Sequence, residues 1–321
     1  MIDRRTVLMG SAALAAAAHV KAEGAAHWPE PHTSIPLWPN GAPGALGVLP
    51  KEVITERSKD TLHKDRAIVG IAAPRIDAFP ASQPNGTAVL LIPGGAYARI
   101  AFDREGYEMA AWFNARGVTA YVLFYRLPHE GWMDAPNVAL ADAQRAVRLI
   151  RSRAGDYGVD PAKLVVMGFS AGGHVCADLA TRFDTKAYVP VDAADALSAR
   201  PTLAAPIYPV VSMSKPYAHP LSRTLLIGEN PTPELEAAHS PDMNVRHDMP
   251  PCFQVHAADD PAVPVENTLL LNAALRKAGV PAEMHIFEKG GHGFALRNVV
   301  GMPAHVWADL FMAWAGVRLG I

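Results

Sequence analysis

One serine in this chain stands in the pattern of an activated nucleophile. Residues 164–174 read Leu-Val-Val-Met-Gly-Phe-Ser-Ala-Gly-Gly-His, which places Ser170 in a Gly-x-Ser-x-Gly motif between an apolar run and a helix-forming run. Glycine has no Cβ, so a strand and a helix that flank such a motif can approach closely and hold the serine in a sharp turn. The pattern predicts that Ser170 attacks a carbonyl carbon.

A serine hydroxyl is a weak nucleophile until a base takes its proton, and the base in turn needs an acid that orients it. In enzymes with this nucleophile turn the three residues follow one another in the order serine, acid, histidine. His292 lies between glycines in a loop after the last apolar strand-like run. The acid is Asp259 or Asp260, because both precede that run and neighbouring loop residues point in different directions.

The chain has 13 histidines, so a histidine alone carries little weight. His292 differs from the others by its position in the chain order. We interpret seven others as surface or packing residues: His63, His129, His219, His239, His247, His256 and His305.

The oxyanion of an attacked carbonyl needs preorganised hydrogen-bond donors, each of which lowers the barrier by about 2.7 to 4 kcal/mol. One predicted donor is the backbone amide of Ala171, at the N-terminus of the helix after Ser170. The second is expected from Gly95 or Ala96, in the loop after the apolar run 87–92. Tyr97, next in that loop, is a candidate substrate contact.

Apolar runs and helical patterns alternate through the chain. Strands are predicted at residues 87–92, 119–124, 163–167, 203–208, 252–256 and 283–287, and helices at 104–116, 136–153, 171–181, 265–278 and 303–317. Runs that are apolar on both faces are typical of parallel strands covered by helices. We therefore predict an α/β fold with a mainly parallel sheet, a hairpin-type turn at Asn85-Gly86, and a small insertion at 208–250 before the strand that carries the acid.

Composition excludes several function classes. The 321 residues are 50% hydrophobic and carry a formal net charge of −2, which fits neither a disordered chain nor a basic nucleic-acid-binding protein. Two cysteines cannot form a disulfide framework, and we interpret Cys176 and Cys252 as buried thiols. No histidine or cysteine spacing is typical of zinc ligands, and no phosphate-binding or dinucleotide-binding fingerprint occurs, so we expect neither a metal nor a cofactor.

The N-terminus has the layout of an export signal. The pair Arg4-Arg5 precedes twelve mildly apolar residues, 7–18, which are too few to cross a bilayer of about 30 Å. We predict a signal peptide of the twin-arginine type at 1–22, a periplasmic or secreted protein, and no stable membrane anchor. Residues 23–66, with their many prolines and turn signals, are expected to form an extended arm before a single domain at 67–321.

These motifs together resemble the α/β-hydrolase-fold serine esterases. The likeness is strongest to the bacterial carbohydrate acetyl esterases, which include acetyl xylan esterase-like and feruloyl esterase-like proteins. The matching stretches are 91–97, Tyr125-Arg126-Leu127, 142–148, 157–161, 168–174, Ser240-Pro241, 256–264 and 290–294. One departure is Pro93, which stands where many esterases of this fold carry histidine before the glycines.

The resemblance implies Ser170 as nucleophile, His292 as base and Asp260 as acid, since Val263-Pro264 follows Asp260 after two residues; Asp259 stays the alternative acid. It also implies a carboxylic ester hydrolase that acts on short acyl, above all acetyl, esters of carbohydrate. The expected partner is therefore a small-molecule or oligosaccharide ester, and Trp132 is a candidate sugar-stacking residue. A general short-chain carboxylesterase, an oligopeptidase-like serine peptidase and a binding module with an inactive triad are the alternatives.

Overall fold

The computed structural model describes residues 29–60 and 62–321, and within them strands alternate with helices. The strands are β1 (Thr33–Pro36), β2 (Val53–Glu56), β3 (Arg66–Val69), β4 (Arg75–Phe79), β5 (Ala88–Ile92), β6 (Thr119–Phe124), β7 (Leu164–Phe169), β8 (Leu203–Ile207), β9 (Cys252–Ala257) and β10 (Ala282–Phe287). The α-helices are α1 (Glu108–Asn114), α2 (Val138–Ser152), α3 (Ala171–Thr181), α4 (Pro220–Ile227), α5 (Pro233–Ala238), α6 (Glu266–Lys277) and α7 (Trp307–Leu319). The predicted signal peptide at 1–22 lies outside the described residues.

Eight strands form the central sheet, in the order β1-β4-β6-β5-β7-β8-β9-β10. From β6 to β10 all neighbours are parallel, whereas β4 is antiparallel to β6 and β1 is antiparallel to β4. The central strands β5, β6, β7, β8 and β9 are buried along their whole length, as runs apolar on both faces require. The predicted α/β class with a mainly parallel sheet is confirmed. Parallel strands end at one edge of the sheet, which brings together the loops after β5, β7, β9 and β10.

The N-terminal part differs from the expectation of an extended arm. Thr33–Pro36 is an edge strand of the central sheet, with Ile35 only 5% exposed, and Val53–Glu56 pairs with Arg66–Val69 in a separate two-stranded sheet. The predicted hairpin at Asn85-Gly86 is wrong, because β6 lies between β4 and β5 in the sheet. Gly86 does turn the chain with a φ of +87°, but local turn geometry could not show which strand pairs with which.

The predicted insertion contains α4, α5 and a short 3-10 turn at Pro241–Met243. Ser240 does not cap that turn with its side chain; its hydroxyl donates to the carbonyl of Glu236 and accepts from the amide of Met213. Among the described residues, no helix combines the length and the apolar character needed to cross a bilayer.

Candidate active site

Ser170 lies in the turn between β7 and α3, with the strained backbone angles φ 55° and ψ −118°. The two flanking glycines make this turn possible. A Cβ on Gly168 would lie 2.1 Å from the carbonyl oxygen of Gly172, and a Cβ on Gly172 would lie 2.0 Å from that of Ile92. Both distances are far inside van der Waals contact, so only glycine lets α3 pack this closely on the strands and present Ser170 at the sheet edge.

The structure brings Ser170, His292 and Asp260 together from three different loops. Ser170 Oγ is 2.8 Å from His292 Nε2, and His292 Nδ1 is 2.6 Å from Asp260 Oδ2. A carboxylate can only accept, so His292 Nδ1 carries the proton and His292 Nε2 is free to accept the proton of Ser170. This arrangement matches the geometry in which an acid orients a base and the base activates a serine nucleophile.

Asp260 is held as an anion. Its Oδ1 accepts hydrogen bonds from the amides of Ala262, at 2.8 Å, and Val263, at 2.9 Å. Burial alone would raise the pKa of this carboxyl, but hydrogen bonds from His256 and His292 outweigh it and hold the pKa well below its ordinary value. The negative charge that would stabilise an imidazolium at His292 is therefore present at neutral pH.

Asp259, the alternative acid, points elsewhere. Its Oδ1 accepts hydrogen bonds from the amides of Gly290 and Gly291, both at 2.9 Å. Asp259 thus fixes the start of the loop that carries His292, while Asp260 alone of the two contacts the His292 ring.

His256, which we interpreted from the sequence as a surface or packing residue, also contacts the acid. Its Nε2 lies 3.2 Å from Asp260 Oδ2 and 3.1 Å from the carbonyl oxygen of Val263, and its Nδ1 lies 2.8 Å from Thr268 Oγ1. Both groups near Nε2 are acceptors, so Nε2 carries the proton. Its place in β9, four residues before Asp260, was a signal that could have identified it.

The loop after β5 folds back on itself beside Ser170. Ala96 and Tyr97 have φ angles of +60°, and the amides of Ala98 and Arg99 donate to the carbonyl of Gly95. Among the described residues, none accepts a hydrogen bond from the amides of Gly95, Ala96 or Ala171. They therefore have no acceptor in the described part of the chain, and the oxyanion role of Gly95, Ala96 and Ala171 stays a prediction.

A buried carboxylate that the sequence did not reveal supports this loop. Glu105, 6% exposed, lies in a π-helical turn, Asp103–Tyr107. Its Oε2 accepts from the amide of Gly94 at 2.8 Å, and its Oε1 accepts from the hydroxyl of Tyr208 at 3.1 Å. The Tyr208 hydroxyl in turn accepts from the amide of Ala295 at 3.2 Å. Glu105 therefore links the loop after β5, residues 93–98, to the loop of His292. We call residues 93–98 the oxyanion loop, after the role predicted for them.

Tyr97 is not placed to contact a substrate, which corrects the sequence-based expectation. Its side chain is 1% exposed, and its hydroxyl donates to His174 Nδ1 at 2.7 Å. His174 Nε2 donates to the carbonyl of His239 at 2.8 Å. Burial raises the pKa of Tyr97 and lowers that of His174, so both side chains are neutral. Their hydrogen bonds attach the loop after β5 to α3 and to the backbone of His239.

Trp132 is not a sugar-stacking surface either. It is 3% exposed, and the guanidinium of Arg126 lies over its ring at 5.1 Å. Its loop folds inward because Arg126 is itself buried and pairs with the buried Asp142. A tryptophan in a Pro-rich loop is as often a packing residue as a platform, and here the tertiary contacts decide.

A cavity of about 200 Å³ opens at Ser170 and His292, and Gly95 and Ala96 also line it. His219 from the insertion forms part of the wall, although the sequence indicated only a surface or packing role. Its Nδ1 accepts a hydrogen bond from the amide of Ser222, which leaves Nε2 as the protonated nitrogen. No pattern in the sequence connects position 219 with Ser170.

Neither cysteine has a chemical role that the structure supports. Cys176 and Cys252 are buried and unpaired, and burial raises the pKa of the Cys176 thiol to about 12. Within 29–60 and 62–321, no group of three histidine, cysteine, aspartate or glutamate side chains could hold a metal ion.

Comparison with known proteins supports the fold and the family. The family model described as BD-FAE matches residues 78–275. Endo-1,4-beta-xylanase B of Butyrivibrio fibrisolvens is 37% identical over 228 residues, which are 71% of this chain and 34% of the relative. An acetylxylan esterase of Xylanibacter ruminicola is 31% identical over 220 residues, 67% of this chain and 42% of the relative. The chain thus spans less than half the length of these relatives.

Two solved structures share the architecture. An acetyl ester-xyloside bifunctional hydrolase from Caldicellulosiruptor lactoaceticus is 33% identical, with a TM-score of 0.74 over 92% of this chain and 98% of the other. The esterase Est2 of Thermogutta terrifontis is 24% identical, with a TM-score of 0.62 over 86% of this chain and 94% of the other, and shows the fold alone. The predicted α/β-hydrolase fold is confirmed.

Proposed function

The chain belongs to the BD-FAE family of α/β hydrolases, and from that premise we propose that it is a serine esterase that removes short acyl groups, acetyl above all, from carbohydrate. The observation that carries the proposal is the continuous hydrogen-bonded chain from Ser170 Oγ through His292 to Asp260, with separations of 2.8 and 2.6 Å. In this arrangement His292 Nε2 faces the Ser170 hydroxyl and Nδ1 faces the Asp260 carboxylate, which is the geometry from which ester hydrolysis begins.

The reaction begins when Ser170 Oγ attacks the ester carbonyl carbon and His292 Nε2 takes its proton. Asp260 stabilises the imidazolium, and the amides of Ala171 and of Gly95 or Ala96 donate to the oxyanion of the tetrahedral intermediate. His292 then gives its proton to the departing sugar oxygen, which leaves an acyl group on Ser170. A water molecule, deprotonated by His292, attacks the acyl-enzyme, and the acid and free Ser170 result.

The size of the cavity favours a small acyl group. About 200 Å³ at Ser170 is below the roughly 300 to 1,000 Å³ typical of pockets that enclose a whole ligand. An acyl group of a few atoms can enter while the alcohol half of the ester stays in the opening. A long acyl chain finds no enclosed apolar channel among the residues that line this cavity, several of which are charged.

The carbohydrate preference rests on the named relatives. One is an acetylxylan esterase, another is a xylanase, and the solved structure with a TM-score of 0.74 is an acetyl ester-xyloside hydrolase. These names support acetylated xylan and its fragments as the first substrates to test.

The experiment combines active-site labelling with acetate release. We expect a fluorophosphonate to label Ser170, and acetate to be released from acetylated xylan as well as from p-nitrophenyl acetate. Ser170→Ala should lose labelling and turnover while its circular dichroism is unchanged, and Ser198→Ala, at an exposed loop serine, should keep both.

Turnover retained by Ser170→Ala would contradict the nucleophile. Hydrolysis of p-nitrophenyl acetate without acetate release from xylan would indicate a general short-chain carboxylesterase instead. Absence of any covalent adduct on the wild-type protein would favour a binding module.

A further inference from the structure

Three arginines line the cavity that contains Ser170 and His292. Arg57 comes directly after β2, Arg99 follows the oxyanion loop, and Arg104 lies in the π-helical turn. We call these three residues the arginine wall. Arg99 and Arg104 are five residues apart, whereas Arg57 belongs to the N-terminal part of the chain, so the fold brings Arg57 to the opening that the other two share.

The wall carries more positive charge than its surroundings neutralise. Asp65 is the shared partner of Arg57, at 2.7 Å, and of Arg104, at 3.0 Å. Asp65 also lies 4.0 Å from Arg297 Nη2, so one carboxylate serves three guanidinium groups. Arg57 Nη1 and Arg104 Nη2 have no hydrogen-bond acceptor among the described residues.

Glu105 also lines the cavity, and its negative charge helps to raise the pKa of Arg104. Its two oxygens accept from the amide of Gly94 and the hydroxyl of Tyr208 and form no ion pair with the wall, so three arginines face two carboxylates, Asp65 and Glu105. His219 adds no positive charge, because burial lowers its pKa and the nearby His292 lowers it further.

Arg99 is the most informative member of the wall. It is exposed, and no carboxylate among the described residues pairs with it. Its side chain starts beside the oxyanion loop, since a Cβ on Gly95 would lie 3.0 Å from Arg99 Cγ. Arg57 and Arg104 have a second role, because Asp65 links them to each other, whereas no partner within 29–60 and 62–321 explains Arg99.

We propose that the arginine wall binds a carboxylate of the substrate close to the scissile ester, so that the preferred substrates are acidic, such as acyl esters of uronic-acid-containing saccharides. This proposal rests on the proposed function and deepens it. The planar guanidinium fork matches the two oxygens of a carboxylate, and a partly enclosed cavity weakens such a contact less than open water does. The overall net charge of −2 does not attract an anion, so the attraction is local.

The test compares methyl glucuronoside and methyl glucoside, each monoacetylated at the same ring hydroxyl, so that the two differ only at C6, which is a carboxylate in one and a hydroxymethyl group in the other. The wild-type protein is expected to have a kcat/KM about tenfold higher on the acidic sugar, a typical effect of one charge-assisted contact. Arg99→Gln should reduce this ratio to about one to twofold, and Arg99→Lys should keep part of it. The ratio cancels any loss that both substrates share.

Two controls separate the wall from general charge effects. Arg276→Gln removes the same charge from an exposed arginine of α6 that does not line the cavity, and it should leave the ratio unchanged. Raising sodium chloride to about 0.5 M should lower the wild-type ratio, because salt screens partly exposed charges.

A second arm shows which half of the ester carries the carboxylate. It compares a p-nitrophenyl hemisuccinate with p-nitrophenyl butyrate, where the carboxylate is on the acyl side. If the wild-type protein prefers the acidic substrate in either arm and Arg99→Gln abolishes that preference, the proposal is supported. The arm in which this happens shows whether the alcohol half or the acyl half of the ester carries the carboxylate. Equal rates in both arms, or a preference that Arg99→Gln and salt leave intact, would overturn it.

The failure of this inference differs from the failure of the proposed function. If neutral acetyl esters are hydrolysed with no preference for acidic substrates, the proposed esterase function stands and the proposed carboxylate-binding role of the arginine wall is overturned. If no ester is hydrolysed, calorimetric binding of glucuronate and of glucose to the Ser170→Ala protein still tests the wall, and equal affinities count against it.

Discussion

The strand-end loops and the arginine wall border the same cavity but are built differently. The strand-end loops, after β5, β7, β9 and β10, are held by buried hydrogen bonds that reach the reacting groups, such as the four that converge on Asp260. In the arginine wall, Arg99 is exposed and Arg57 and Arg104 are partly buried, and the ion pairs of these last two share one carboxylate, Asp65.

This difference separates chemistry from selectivity. Buried, fully paired groups cost no reorganisation when charge develops, so they suit the transition state. Exposed guanidinium groups are screened by salt and contribute little to stability, but they can select a charged substrate. Changes in the strand-end loops should therefore affect all substrates, and changes in the wall should affect only some.

The largest expected effect separates the two adjacent aspartates. Asp260→Asn should lower kcat/KM on p-nitrophenyl acetate by about 10⁴-fold, because the amide favours the wrong tautomer of His292. Asp259→Asn should cost about tenfold or less, since it weakens the bonds to the amides of Gly290 and Gly291 and removes a 3.9 Å ion pair with Lys289, none of which reaches the His292 ring. Equal losses in the two variants would show that the ring contact of Asp260 is not what matters.

A smaller effect is expected at Glu105, which supports the oxyanion loop but forms no hydrogen bond with Ser170, His292 or Asp260. Glu105→Gln should lower kcat by about 10- to 100-fold with little change in KM, because a displaced donor acts mainly in the transition state. Glu108→Gln, three residues further on, breaks an ion pair with Arg297 and is the matched control. If both variants behave alike, Glu105 has only a structural role.

The smallest expected effect is on the free energy of unfolding, through the buried side chain of His239. Burial lowers the pKa of His239 to about 4, against about 6.5 in an unfolded chain. Between about pH 6.5 and pH 4, His239 is therefore protonated in the unfolded chain but neutral in the folded protein. The free energy of unfolding consequently decreases as the pH falls across this range. The loss from pH 7 to pH 5 should be about 2 kcal/mol for this one group, a range in which lowered-pKa carboxylates such as Asp260 stay ionised.

Urea unfolding at the two pH values measures this effect. His239→Phe should remove most of the loss, whereas His305→Phe, at an exposed position, should not. A pH dependence that persists unchanged in His239→Phe would mean that another group, such as the buried His174, is responsible.

Several parts of the fold and site were predictable because short-range chemistry constrains them. The runs 119–124 and 171–181 coincide with β6 and α3, since an apolar run or a helical pattern reports burial directly. Ser170 could be identified from the flanking glycines, because the structure leaves no room for a Cβ atom at Gly168 or Gly172. The esterase class predicted from the resemblance agrees with the names of the relatives.

Other parts could not be predicted because they depend on long-range contacts. Tyr97 and Trp132 looked like substrate contacts, yet His174 and Arg126 hold them inside the protein. Glu105 lies in no motif. One of its partners is a backbone amide, that of Gly94, which no residue type reveals, and the other is the hydroxyl of Tyr208, which is distant in the sequence.

The amino-acid sequence by itself determined the α/β class, the nucleophile turn and the order of serine, acid and histidine, because periodicity, glycine and chain order are local or linear properties. Only the tertiary structure decided that Asp260 rather than Asp259 meets His292, that His256 and Glu105 support the site, and that three arginines share its opening. The reason is physical: a side chain's direction and its charge environment are set by packing between segments, which no linear pattern records.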